Sequence, residues 1–209
     1  GKSTLLNFLK EELEKEFKEK GIDFITYHFN PWMFSGQENL QREFLEGLLE
    51  NLNVHFKDLK EVVEWADNAL NYLRFVKIIP KYGKDTYEAI EELVRGPLFN
   101  SIKGLKEKVD RLLIEKRVRL LVFIDDLDRL APNEVIEIFQ LVKLNSNFKN
   151  TFFFLAYDKE VVESALEMRF GENSKRYLEK IVQVDYKVPE ILPEIRMDIF
   201  FKELKDFFK

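Results

Sequence analysis

Cysteine is absent from all 209 residues. That excludes a disulfide framework, thiolate zinc sites and a cysteine nucleophile. Histidine is scarce: His28 and His55 are the only two. They fall in different elements without spaced acidic partners, so no histidine metal site is expected, and His28 reads first as a strand residue. No apolar run approaches the ~20 residues of a membrane span. The nearest, Trp65 to Pro80, carries Asp67, Arg74 and Lys77. Basic excess is missing too: the net charge is -5, which makes nucleic acid an unlikely partner. There is no secretory signal, internal repeat or low-complexity tract. The expectation is a cytoplasmic protein in a reducing interior. The chain opens on Gly1 rather than methionine, so a fragment of a longer protein is expected, one that starts inside a motif.

What is present is patterned. Hydrophobic residues make up 45% and charged residues 34%, enough for one sizeable core plus a helical annex. Leu120-Leu121-Val122-Phe123-Ile124 runs straight into Asp125-Asp126-Leu127-Asp128-Arg129. An uninterrupted apolar run suits a strand buried on both faces of a parallel sheet. Asp125 and Asp126 would then stand at its carboxyl end, where ligands bind in open α/β sheets. Adjacent carboxylates repel unless something positive holds them. A metal ion is one explanation and an acidic loop capping a core strand is the other.

The first residues bear on that choice. Gly1-Lys2-Ser3 matches the close of the P-loop pattern G-x-x-x-x-G-K-[ST], with Thr4 following. Glycine lets backbone amides face phosphate oxygens, lysine reaches the β- and γ-phosphates, and the serine hydroxyl ligates magnesium at a helix start. A helix follows, with Leu5, Leu9, Leu13 and Phe17 at spacing four and Gly21 as its stop. An ordinary glycine-started helix with a surface lysine is the competing explanation.

Further along, Ile22 to Phe29 reads as a strand stopped by Asn30-Pro31. Trp32 is expected as a packing anchor rather than a nucleotide-stacking group. Leu40, Phe44, Leu45, Leu48, Leu49 and Leu52 form one helical face. Leu59 to Leu73, Tyr87 to Val94 and Ile102 to Leu112 suggest three more helices, an inserted helical subdomain longer than a simple crossover needs. After the strand from Val118 to Asp125, Pro132 suits a first helical turn, and Val135, Ile138, Phe139 and Val142 give a buried stripe. Thr151 to Tyr157 is another interior strand. Asp158 caps the helix through Val162, Ala165 and Leu166; the alternative is that Asp158 or Tyr157 also senses a nucleotide. A helix within Gly171 to Lys180, a last strand from Ile181 to Tyr186, and a helix through Ile195, Ile199, Leu204 and Phe208 complete the chain.

These segments resemble, in order and over nearly the whole length, the KAP P-loop NTPases. The resemblance rests on GKST, on FNPWMFSGQENL (29–40), on LLVFIDDLDRL (120–130), on FFFLAYDKEVV (152–162) and on YLEKIVQVDYKVP (177–189). It implies an α/β, three-layer P-loop NTPase core with a mostly parallel sheet in the order 5-1-4-3-2 and a helical insertion. The corresponding divisions are 1–52 and 117–190 for the core, 53–116 for the insertion and 191–209 for the start of a C-terminal helical region. The first strand would precede Gly1, leaving a gap between the strands from Val118 and Ile181.

By resemblance the ligands are ATP and Mg²⁺. Gly1, Lys2, Ser3 and Thr4 cradle the phosphates; Asp158 joins them as a nucleotide contact only under the alternative that it senses the nucleotide from its place at the strand end. Ser3 and Asp125 hold the metal, and Asp126 stands where related ATPases have their catalytic acid. Arg129 senses the γ-phosphate, contacts a neighbouring subunit, or simply pairs with Asp128. The family suggests a slowly hydrolysing switch in signalling or phage defence, with protein partners through the insertion or the C-terminal region and a homo-oligomer among its assemblies. A non-catalytic scaffold retaining the fold is the rival. Many members carry transmembrane segments between the two nucleotide motifs. Here that region is too polar to span, so any attachment to the cytoplasmic face of a membrane would use an anchor elsewhere.

Overall fold

The computed structural model describes residues 1–36, 40–56, 97–145 and 148–188. Three strands, β1 (Phe24–Phe29), β2 (Arg119–Ile124) and β3 (Thr151–Leu155), form one sheet in the order β1-β2-β3. Both pairings are parallel, with Phe29 opposite Ile124 and Ile124 opposite Leu155. Helix α1 (Lys2–Glu19) precedes β1, α2 (Leu40–His55) and α3 (Pro97–Glu115) lie between β1 and β2, and α4 (Pro132–Asn145) joins β2 to β3. Helices α5 (Lys159–Phe170) and α6 (Ser174–Ile181) follow.

Strand β2 sits in the middle because it has no polar face to give to water. Alternate residues serve the two sides of the sheet. Leu120, Val122 and Ile124 join a core with Leu40, Phe44 and Leu52 of α2, Leu113 of α3, Val135 and Phe139 of α4, and Val162 of α5. Leu121 and Phe123 face the other way, into a smaller cluster with Leu6 and Phe17 of α1. The result is three layers, with α1 alone on one face among the described helices. The stripes expected on α2 and α4 are all buried, as are Val162, Ala165 and Leu166. On α1 the spacing-four series is only partly inward: Phe17 is buried, Leu6 takes the inner position, and Leu5 and Leu9 are partly exposed.

Three expectations need correction. Ile181 closes α6, and residues 182–188 form no strand. The alternating Val182, Val184, Tyr186 and Val188 need a ladder partner, and no described strand lies beside them. The gap was placed beside the strand from Val118, yet β2 is paired on both sides, and among the described strands the unpaired edges are the outer ones of β1 and β3. Trp32 is not a buried anchor: it is 48% exposed. The helices expected at Leu59 to Leu73, at Tyr87 to Val94 and beyond Ile195 lie outside the described residues, as does much of the 53–116 insertion. Among the described residues no helix is long and apolar enough to cross a membrane.

Candidate nucleotide site

The parallel register makes the three strands end flush, so Asn30, Asp125 and Ala156 emerge side by side. Ladder geometry continues one step past the strands: Asp125 N donates to Phe29 O at 3.3 Å, and Ala156 N donates to Ile124 O at 2.9 Å. The chain then turns sharply. Asp126 adopts φ 59° and ψ 29°, a left-handed conformation that aspartate tolerates better than most residues. A single 3-10 turn, Leu127–Arg129, follows, and buried Leu127 pins it to the core.

This turn assembles the charges. The Asp126 backbone N–H donates to Asp125 Oδ1 at 2.8 Å. The other oxygen of Asp125, Oδ2, has no partner among the described residues. Asp126 accepts from the Asn30 amide on Oδ2 at 2.9 Å, and Arg129 Nε lies 3.0 Å from its Oδ1. Arg129 also lies over the Trp32 ring, 5.2 Å from its centroid. Lys2 Nζ reaches across from the start of α1 to Asp128 Oδ2 at 3.1 Å. The pairing of Arg129 with Asp128 is therefore replaced by a crossed arrangement: Arg129 takes Asp126 and Lys2 takes Asp128. The compact turn brings Asp126 to Arg129 at i,i+3, while Lys2 occupies the side where Asp128 points.

Lys2, Ser3 and Thr4 occupy the first turn of α1, where backbone N–H groups lack intrahelical acceptors. No acidic residue stands in that turn, so its positive end is open to an anion. Asp158 accepts from the N–H groups of Glu160 and Val161 and is the N-cap of α5. Tyr157 packs on Phe139 at 5.8 Å and lines a cleft of about 300 Å³ with Lys159, Lys175 and Asp185. Burial there, then Asp185 and Glu163, push the Tyr157 hydroxyl up to about 12. His28 stacks on Phe123 at 5.0 Å. Burial, with Lys10 adding to it, lowers its imidazole below the ordinary value and keeps it neutral at pH 7.

The donor set can be tested against magnesium. Among the described residues no group of three His, Cys, Asp or Glu side chains could cage a metal. Mg²⁺ does not require one: it is commonly held by one or two carboxylates together with substrate phosphates and water. Asp125, with an unpartnered oxygen at the strand ends, and the Ser3 hydroxyl on the first turn of α1 fit that chemistry.

Residue-by-residue reasoning missed Asn30, taken only as a strand stop, and the use of Trp32. Asn30 was findable in principle. A polar residue at the end of a buried parallel strand lies level with the residue ending its neighbour, here Asp125.

A parallel sheet covered on both faces, with a lysine-bearing helix start opposite an acidic turn at the strand ends, defines a P-loop NTPase core. The chain belongs to the KAP family: the profile of the KAP family P-loop domain matches residues 1–206. A curated relative, the phage T7 exclusion protein of Escherichia coli (strain K12), is 26% identical over 218 residues. That alignment covers 90% of this chain and 28% of the relative, so the chain spans little more than a quarter of the relative's length. No solved structure matches.

Proposed function

We propose that this chain is the ATP-binding core of a slowly hydrolysing, nucleotide-driven switch in an anti-phage defence or signalling assembly. The observation that carries the proposal is the Lys2–Asp128 contact, which brings the helix start up against the turn bearing Asp125 and Asp126. The name of the relative supports the defence setting.

On this view ATP displaces Asp128 from Lys2, whose ammonium then pairs with the β- and γ-phosphates. The N–H groups at the start of α1 bind phosphate oxygens. Ser3 and Asp125 hold Mg²⁺, which when bound neutralises phosphate charge. Asp126 accepts a proton from the water whose oxygen bonds to the γ-phosphorus as the bond to ADP breaks. Arg129, paired with Asp126, adds positive charge beside the developing γ-phosphate charge without leaving that carboxylate. Protein partners would engage through the insertion or the C-terminal region, and nucleic acid is not among them. Strongly salt-dependent DNA affinity would overturn that last exclusion.

A second reading, a nucleotide-binding scaffold without turnover, is favoured by one observation. Both oxygens of Asp126 already have partners. The two readings separate on phosphate release by the full-length protein and its Asp126→Asn variant at saturating ATP. Turnover in the wild type that is lost in the variant supports the switch. Equal phosphate release, with ATP still bound, leaves the scaffold. Lys2→Ala should weaken ATP binding about ten- to a hundredfold, the range for losing charge-assisted hydrogen bonds. Unchanged affinity in a titration would remove the phosphate role of Lys2.

A further inference from the structure

The segment Asn30-Pro31-Trp32 has no part in the chemistry above, yet it touches both residues placed there as the base and its neighbour. We propose that Asn30 and Trp32 are positioning residues for Asp126, Asn30 directly and Trp32 through Arg129. The inference rests on Asp126 being the group that takes the proton from water.

A carboxylate rotates unless both of its oxygens are engaged. Asp126 is held on opposite oxygens, by the Asn30 amide at 2.9 Å and by Arg129 Nε at 3.0 Å. Its side chain is 18% exposed, whereas that of Arg129 is 55% exposed. An ion pair with so exposed a partner fixes little by itself. The Trp32 ring supplies the second hold, with the guanidinium 5.2 Å from its centroid. Core packing does not explain why the ring is there. Phe34, from the same turn, stacks on Phe29 at 5.8 Å, while Trp32 stays half in water. Asn30 links the two holds. Its Oδ1 accepts from Trp32 N at 3.1 Å, capping the 3-10 turn Pro31–Phe34 that presents the ring, and its Nδ2 binds Asp126. One side chain thus sets the angle of the tryptophan and the plane of the carboxylate.

A purely structural role for Asn30 would be the cap alone, and serine separates the two. Asn30→Ser keeps a capping oxygen but loses the amide that reaches Asp126. In the full-length protein, Asn30→Ser should lower kcat about tenfold, a fraction of what a positioned base contributes, with KM for ATP and the melting temperature nearly unchanged. Trp32→Ala should lower kcat about threefold and Trp32→Phe should restore it, because the phenyl face still holds a cation. Without nucleotide, in a background where every other tryptophan, Trp65 among them, is replaced by phenylalanine, Arg129→Ala and Asp126→Ala should each raise acrylamide quenching of Trp32, since the guanidinium no longer covers the ring. Unchanged kcat in Asn30→Ser, or unchanged quenching in both alanine variants, overturns the proposal. If the wild type releases no phosphate at all, the proposed hydrolysis falls instead, and the quenching alone decides whether Asp126, Arg129 and Trp32 form one unit.

Discussion

Asp126 and Glu137 are both carboxylates, and their surroundings ask opposite things of them. Asp126 must occupy a left-handed conformation, which asparagine also accepts, so Asp126→Asn should remove the base without straining the turn. Glu137, on α4, accepts the backbone N–H of Gln41 at the start of α2 at 3.3 Å. Burial raises its carboxyl above the ordinary value, the N–H groups of Gln41 and Leu40 pull the other way, and Glu134 raises it again. A carboxyl raised in the folded state binds its proton while the unfolded chain has lost it. Its contribution is therefore full below the unfolded value near 4.5 and is lost as pH rises through the folded value. Glu137→Gln keeps an acceptor for Gln41 and carries no charge. Relative to wild type it should be more stable at pH 7 than at pH 4, as read by denaturant unfolding at the two pH values. An identical difference at both would show that burial does not penalise this charge. At Gly47 the constraint is space: an added Cβ would lie 2.5 Å from Tyr27 Oη, whose hydroxyl donates to Phe44 O at 3.0 Å in the core. Gly47→Ala should lose about 1–2 kcal/mol despite better helix propensity. Pairing it with Tyr27→Phe should recover part of that in the same unfolding measurement. Neither Glu137 nor Gly47 announces itself in the sequence, because each depends on a neighbour from a distant segment; Asp126 does, but its Asn30 partner does not.

Elements were far more legible than contacts. Strands β1, β2 and β3 and helices α2, α4 and α5 follow from apolar period, and the Asp158 cap from its place before Lys159. Asp158 is also where the two expectations for one residue part. As the cap of α5 it accepts two backbone N–H groups, and Asp158→Ala should cost about 1 kcal/mol of stability, with Asp158→Asn largely neutral. An unchanged melting temperature together with weaker ATP binding would instead make it a nucleotide contact. Helix α1 shows where period falls short. Its leucines at spacing four predict one stripe, but α1 packs through Leu6 and Phe17, the latter edge-on to Phe24 at 5.6 Å with the Arg119 guanidinium 5.2 Å above its ring. Phe17→Ala should remove about 3 kcal/mol, because Phe17 belongs to the smaller core cluster that seats α1 on its face of the sheet. The same variant should loosen the placement of Lys2 and weaken ATP binding secondarily.

At the scale of the molecule, the central place of β2 was readable and the edge was not. Five apolar residues in a row identify a strand covered on both faces, but which strand lies beside it is set by topology, and β3 took the position where a gap was expected. An extended stretch with alternating apolar residues becomes a strand only when a ladder exists to join. Val184 is 84% exposed, and residues 182–188 have no such ladder among the described strands. The outer edge of β3 has the complementary lack. Asn150 O accepts from Leu120 N, and Ala156 N donates to Ile124 O, so the even-numbered residues of this strand direct their backbone groups to β2. Thr151, Phe153 and Leu155 therefore direct theirs to the open side. An uncovered apolar parallel edge is unusual, since such edges template pairing with other chains. Amide exchange on the 209-residue polypeptide tests the geometry residue by residue. The N–H groups of Phe152, Phe154 and Ala156, bonded to β2, should exchange slowly, and those of Thr151, Phe153 and Leu155 should exchange at least ten times faster, as unbonded edge amides do. Equal protection of the two sets would mean that a segment outside the described residues, or a second copy of the chain, already covers the edge. Repeating the exchange across a dilution series separates those two covers, because only the second loses protection as the protein is diluted.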